Sequence, residues 1–225
     1  MRLPRKPVAV VFDMDGLLFD TESLYEEATL SAATSLGYDM GRPFFRTTVG
    51  SHWPVIRGLL LDHYGAAFPA EELRAVARQN FQGLVDSRQF LKSGVLELLD
   101  LLDERHLPRA IATTSAHPTV QHHLEVHDLA GRFHHIVAAG DYAQHKPAPD
   151  PFLKAAERLG VEPRLCLALE DSHNGVRSAA SAGMMTVMVP DLLEPTADIT
   201  RLCAAVAADL HEVHRLLSDA GDEGR

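Results

Sequence analysis

The 225-residue chain carries 31 Asp and Glu against 21 Lys and Arg, a formal charge of −10, and 46% of its residues are apolar. That length and apolar share allow a sizeable core, in one domain with a large insertion or in two modest domains, and exclude disorder as the default. The acidic balance argues against a nucleic-acid partner, and an anionic ligand would need a local positive site.

Cys166 and Cys203 lie in separate apolar stretches with no paired spacing. That suits a reducing compartment, excludes a cysteine-based zinc site and reads as two buried small hydrophobes. The thirteen histidines are scattered and none forms an HExxH pattern, so they read as surface residues. The basic start, Met1 to Lys6, is followed only by Val8 to Phe12 before acids begin, too short for a signal-peptide core. No apolar run approaches membrane-spanning length, so a cytoplasmic protein without a membrane partner is expected.

In chain order, Val8 to Phe12 is an apolar block that reads as a buried strand, and Asp13 and Asp15 stand where it runs out. Thr21 to Leu36 carries helix formers with an acid in its first turn, and Gly37 sits where a helix would stop. Asp20 either starts that helix or supports the turn into it. The next seventy or so residues are predominantly helical, with Trp53 to Tyr64 closing at Gly65 and Ala70 to about Val85 apolar at near-helical period. This block differs from its flanks, so residues 20–88 read as an inserted all-α domain between core segments 1–19 and 89–225.

Beyond Phe90 the pattern alternates. Helices are expected at Val95 to Arg105, Pro118 to Val126, Asp150 to Leu159 and Asn174 to Ala182. Strands are expected at Ala110 to Thr113, Ile136 to Ala139, Leu165 to Leu169 and Met185 to Val189. Ile199 to Ala208 and Leu210 to Leu217 read as packing helices. Apolar strand blocks alternating with helices predict an α/β fold, a Rossmann-like doubly wound parallel sheet covered on both faces.

Such sheets bind ligands beyond the carboxyl ends of their strands. The residues expected at that rim are Asp13 and Asp15, then Thr113 to Ser115, then Lys146, then Glu170 and Asp171. Singly, each has a plain reading: Asp13 and Asp15 as turn formers, Thr113 as a strand-end hydroxyl, Lys146 as a solvated charge, Ser172 or Asn174 as a helix cap. Together they make a site. Asp13 and Asp171 supply carboxylates for Mg²⁺, and Lys146, with the Thr113 hydroxyl and nearby backbone N–H groups, balances a phosphoryl group. Asp13 is placed to act as nucleophile and Asp15 as acid and base.

These motifs resemble the haloacid dehalogenase superfamily of phosphatases, in the subfamily with a helical cap inserted after the first strand. The resemblance rests on DMDGLLFDTE, on AIATTS with Thr113 and Thr114, on Lys146 of HKPAPD, and on LALEDSHNG, covering about Val8 to Pro190. It implies a Rossmann-like core, a cap, a required Mg²⁺, Asp13 as nucleophile, a metal contact through Asp15, and Glu170 beside or within the metal's ligands. The whole chain is similar to the branch of sugar-phosphate and related small-metabolite phosphatases that also holds β-phosphoglucomutase. In the mutase the cap presents a histidine and an arginine where Tyr25 and Trp53 stand here, with His52 and Arg46 nearby. The expected activity is hydrolysis of a small phosphate monoester, with Tyr25, His52 and Trp53 selecting the substrate. The alternatives are mutase-like phosphoryl transfer, a dehalogenase using Asp13 on carbon without metal, and a non-catalytic metal- or phosphate-binding module.

Overall fold

The computed structural model describes residues 3–49, 51, 53–88 and 90–219. The chain divides into two compact units, Met1–Phe19 with Leu91–Arg225, and Asp20–Phe90.

The first unit is built on six parallel strands: β1 (Ala9–Phe12), β2 (Arg109–Ala116), β3 (His135–Ala139), β4 (Cys166–Glu170), β5 (Met185–Met188) and β6 (Ala205–Val206). Their order across the sheet is β3-β2-β1-β4-β5-β6. Strand β1 is central because all four of its residues are apolar and fully buried, so both faces can be covered. Each such side chain contributes about 1.5–3 kcal/mol where it is large. On one face Ala9 and Val11 join Ala110, Ala112, Val137, Cys166 and Ala168 in a cluster closed by Phe152, Ala155 and Ala156 of α7 (Asp150–Leu159). Small residues on the sheet let that helix approach closely.

The remaining helices of this unit are α5 (Val95–Glu104), α6 (His117–Val126), α8 (His173–Ser181), α9 (Ala197–Leu202) and α10 (Leu210–Asp219). Three details differ from the expectation. Strand β2 runs three residues past Thr113, because its polar end forms the rim of the sheet and stays extended there. Leu165 closes a short 3₁₀ turn, Pro163–Leu165, instead of opening β4. The stretch expected as one helix from Ile199 to Ala208 is α9 followed by β6, whose residues pair with Val187 and Met188 of β5.

The second unit holds α1 (Thr21–Ser35), α2 (Arg42–Arg46), α3 (Trp53–Tyr64) and α4 (Ala70–Ser87). Ala32, Ala33, Met40, Leu60, Phe68, Ala70, Leu73 and Ala77 form its core. Tyr64 stacks on Phe68 at 4.7 Å, and Tyr38 meets both rings edge-on. Among the described residues, no helix is long and apolar enough to cross a membrane.

Candidate active site

Strand register brings the predicted rim residues together. Phe12 pairs with Ile111 on one side and Leu169 on the other, so Asp13 emerges between the ends of β2 and β4, where the strand order reverses. The backbone N–H of Asp13 donates to Leu169 O at 2.9 Å. The buried ammonium of Lys146, from the loop between β3 and α7, lies 2.5 Å from Asp13 Oδ1 and 2.5 Å from Glu170 Oε1. It also stands 4.9 Å above the Phe152 ring, so its position is held from three directions.

Glu170 ends β4 and is fully buried. Its Oε2 accepts from the backbone N–H of Asp171 at 3.2 Å and of Ser172 at 3.3 Å, and from Ser172 Oγ at 3.2 Å. These donors stand at the start of α8, where the helix dipole favours a carboxylate. Ser172 is the N-cap, its hydroxyl accepting from Gly175 N at 3.1 Å; Asn174 is exposed on the helix.

Carboxylate oxygens of Asp13, Glu170 and Asp171 all lie within 4.8 Å of one another. Gly16, at φ +82°, makes this possible: a Cβ there would stand 2.2 Å from Asp171 Oδ2. Both its left-handed backbone and that close approach require glycine. Asp15, one residue earlier, accepts a 2.7 Å hydrogen bond from Ser115 Oγ at the far end of β2. Thr113 is buried, its hydroxyl accepting from Ser115 N at 3.0 Å and its carbonyl from Tyr142 Oη at 3.0 Å. Thr114, one position on, is exposed.

Burial pushes the Asp13 carboxyl up to about 8; the charge and hydrogen bond of Lys146 oppose this, and Glu170 and Asp15 add to it. For Lys146, burial works against its charge, but Asp13 and Glu170 outweigh it and hold its pKa above the ordinary lysine value. The three convergent carboxylates offer only oxygen donors, a set that fits a hard divalent cation and leaves room for water and further oxygen ligands.

In the second unit, Tyr25 and Trp53 line one cavity of about 360 Å³, with Glu22, Phe45, Thr48 and Arg74 among its other walls. Trp53 Nε1 donates to Glu71 Oε1 at 3.0 Å, and the Arg74 guanidinium lies 4.6 Å from the Trp53 ring centre. His52 falls outside the described residues. Sequence reasoning missed the Ser115–Asp15 bond and the role of Gly175, whose absent side chain makes room for Glu170. The spacing from Glu170 to Gly175 in LEDSHNG was the only available signal.

A parallel sheet reversing its order at β1 and β4, with acids and a buried lysine at that rim, defines a class. The chain belongs to the haloacid dehalogenase-like hydrolase family, whose sequence model matches residues 8–183. It is 37% identical to a protein of Drosophila melanogaster named probable pseudouridine-5′-phosphatase, over 90% of this chain and 91% of that one. It is 34% identical to hexitol phosphatase B of Escherichia coli K12, over 84% and 86%. Among solved structures it resembles a family hydrolase from Deinococcus radiodurans R1 with bound phosphate and sodium, at a TM-score of 0.81 and 25% identity, covering 95% of this chain and 96% of that one.

Proposed function

We propose that this hydrolase is a Mg²⁺-dependent phosphatase that removes phosphate from a small phosphorylated metabolite, a sugar phosphate or similar monoester. The observation that carries the reading is the convergence of Asp13, Glu170 and Asp171 within 4.8 Å, bridged on two of the three by Lys146. The named activities of the Drosophila and Escherichia coli relatives support the same substrate class.

The Asp13 carboxylate attacks phosphorus, the P–O bond to the alcohol breaks, and the phosphoryl group is left on Asp13 as an acyl phosphate. Asp15 gives its proton to the departing alkoxide oxygen, and Ser115 holds the carboxyl that does so. Asp15, now a carboxylate, takes a proton from water. That water attacks phosphorus and frees inorganic phosphate, which regenerates Asp13. Lys146 and the Thr113 hydroxyl neutralise and orient the phosphoryl oxygens, and the exposed Thr114 contributes at the same strand end. Mg²⁺, held by Asp13, Asp171 and the Asp15 carbonyl with Glu170 beside it, would supply the positive charge that draws the phosphoryl group to Asp13. Tyr25, His52 and Trp53 select the alcohol.

The test is hydrolysis of an aryl phosphate with Mg²⁺ by the parent protein and by Asp13→Asn. Phosphate release should be abolished in the variant, and the parent should take up beryllium trifluoride as a stable mimic of the phosphorylated aspartate. Equal turnover in both proteins would remove Asp13 from the mechanism.

A further inference from the structure

Asp191 stands three residues past the end of β5, and Lys92 follows the Leu91–Phe19 bridge. The Lys92 ammonium lies 2.7 Å from Asp191 Oδ1. The Asp191 side chain is only 9% exposed, and its second oxygen, Oδ2, is buried and accepts no hydrogen bond. A buried carboxylate oxygen with no donor is costly, because folding has removed the water that would serve it.

The position of that oxygen supplies the reason. A Cβ on Gly16 would stand 2.2 Å from Asp171 Oδ2 and 3.3 Å from Asp191 Oδ2, so the two carboxylates crowd the same point above the Gly16 backbone. Two carboxylate oxygens approaching one point, one of them unserved, make that point suited to a donor or a positive charge. A plain structural ion pair accounts for Oδ1 alone. Nothing in such a pair requires Oδ2 to be buried without a donor at the point above Gly16 that Asp171 Oδ2 also approaches.

We propose that Asp191 is a positioning residue of the cation site, its Oδ2 accepting a hydrogen bond from a water of the divalent cation that Asp13 and Asp171 hold. Lys92 fixes the carboxylate through Oδ1 and leaves Oδ2 for that water. The proposal rests on the metal-dependent reading above. It adds a fourth carboxylate, from a loop outside the four recognised motifs, to the set that determines how tightly the ion is held.

Calorimetric titration of the full chain with Mg²⁺ tests it, alongside thermal melting in EDTA. The Asp191→Asn variant keeps the shape of the side chain, and its Mg²⁺ dissociation constant should rise roughly 10-fold, the scale seen when groups supporting metal ligands are removed. Lys92→Met should weaken binding in the same direction, because Asp191 then loses its anchor, and Lys92→Arg should restore it. Mg²⁺ affinity unchanged in both Asp191→Asn and Lys92→Met, with a lower melting temperature in EDTA, would overturn the proposal and leave a structural ion pair. If Asp191→Asn does not fold, Lys92→Met decides by the same criterion. No Mg²⁺ uptake by the parent protein would overturn the metal reading itself, and Asp191's role with it.

Discussion

The Glu170 carboxylate fills the space in which a side chain at residue 175 would begin: a Cβ on Gly175 would stand 1.9 Å from Glu170 Cδ. In most helices glycine is a liability, and alanine is better by roughly 0.5–1 kcal/mol. Here the sign reverses. Glu170 is fully buried, and its two oxygens are held by Lys146 and by the start of α8, so it has no free rotamer to retreat to. Gly175→Ala should destabilise the protein by about 1–3 kcal/mol, as other overpacked sites do. It should also lower phosphatase activity, since Lys146 moves with Glu170. Urea denaturation and turnover, measured side by side, check both effects.

Ser115→Ala removes the 2.7 Å hydrogen bond to Asp15 Oδ2 and little else, since the Ser115 backbone N–H still reaches Thr113 Oγ1. The expected result is a fall in kcat of about 10-fold, equivalent to about 1.4 kcal/mol, with the melting temperature almost unchanged. Ser115→Thr, which keeps the hydroxyl, should recover much of the loss. An unchanged kcat in Ser115→Ala would show that Asp15 finds its working position without this donor.

How much of this was legible in the sequence follows from burial. Strands β1 and β4 are covered on both faces, so AVVF and CLAL read as unbroken apolar blocks, and the acids of the motifs stand directly where those blocks end. The five-residue helix α2, RPFFR, was not foreseen because one turn is too short to show a period. Strand β6 was hidden in the alanine-rich CAAVAA stretch, where intrinsic propensity favours helix; pairing with β5 overrides it. At the site, the residue types and their motifs were readable, but their partners were not. Ser115 and Asp15 are 100 residues apart, and Lys92 and Asp191 are 99 apart. Such pairs are brought together only by the tertiary fold.

Removing Lys146 should be costly for the fold as well as for catalysis. Its ammonium is the direct partner of two buried carboxylates, Asp13 and Glu170. Lys146→Met would leave them facing one another without a cation, and loss of one member of a buried pair costs about 3–5 kcal/mol. The expected outcome is a large drop in melting temperature without Mg²⁺, part of which Mg²⁺ restores, and no measurable turnover. Melting curves with and without Mg²⁺ make the comparison.

Asp141 gives stability a pH dependence through its own ion pairs and hydrogen bonds. Its carboxyl is lowered to about 2: burial would raise it, but this is outweighed by the hydrogen bonds from Arg158 and from the Ala138 N–H and by the charges of Arg158 and His117. A depressed native pKa means that the unfolded chain binds the proton more readily. The stabilisation is therefore complete above the unfolded value near 4 and is lost as pH falls toward 2. For this partly shielded group it amounts to about 1–2 kcal/mol. The stability gap between the parent and Asp141→Asn should be widest at neutral pH and shrink between pH 4 and pH 2. Urea titrations at several pH values would show the narrowing; a constant gap would mean that Asp141 acts by packing alone.

Binding of a cation to the native acids should appear as stability, because the unfolded chain does not hold those carboxylates together. At a Mg²⁺ concentration about 100-fold above its dissociation constant, the native state gains about 2.7 kcal/mol. For a chain of this size each kcal/mol moves the melting temperature by about 2–4 °C, so Mg²⁺ should raise it by about 5–10 °C. EDTA should reverse the rise fully. In Asp171→Asn most of the shift should disappear: one of the three oxygens within 4.8 Å of one another loses its charge, although the crowding against Gly16 is unchanged. The melting temperature of the variant should therefore be nearly the same with Mg²⁺ as in EDTA. That pairing of outcomes separates a metal ligand from a residue needed only for folding, which would lower the melting temperature with or without the ion.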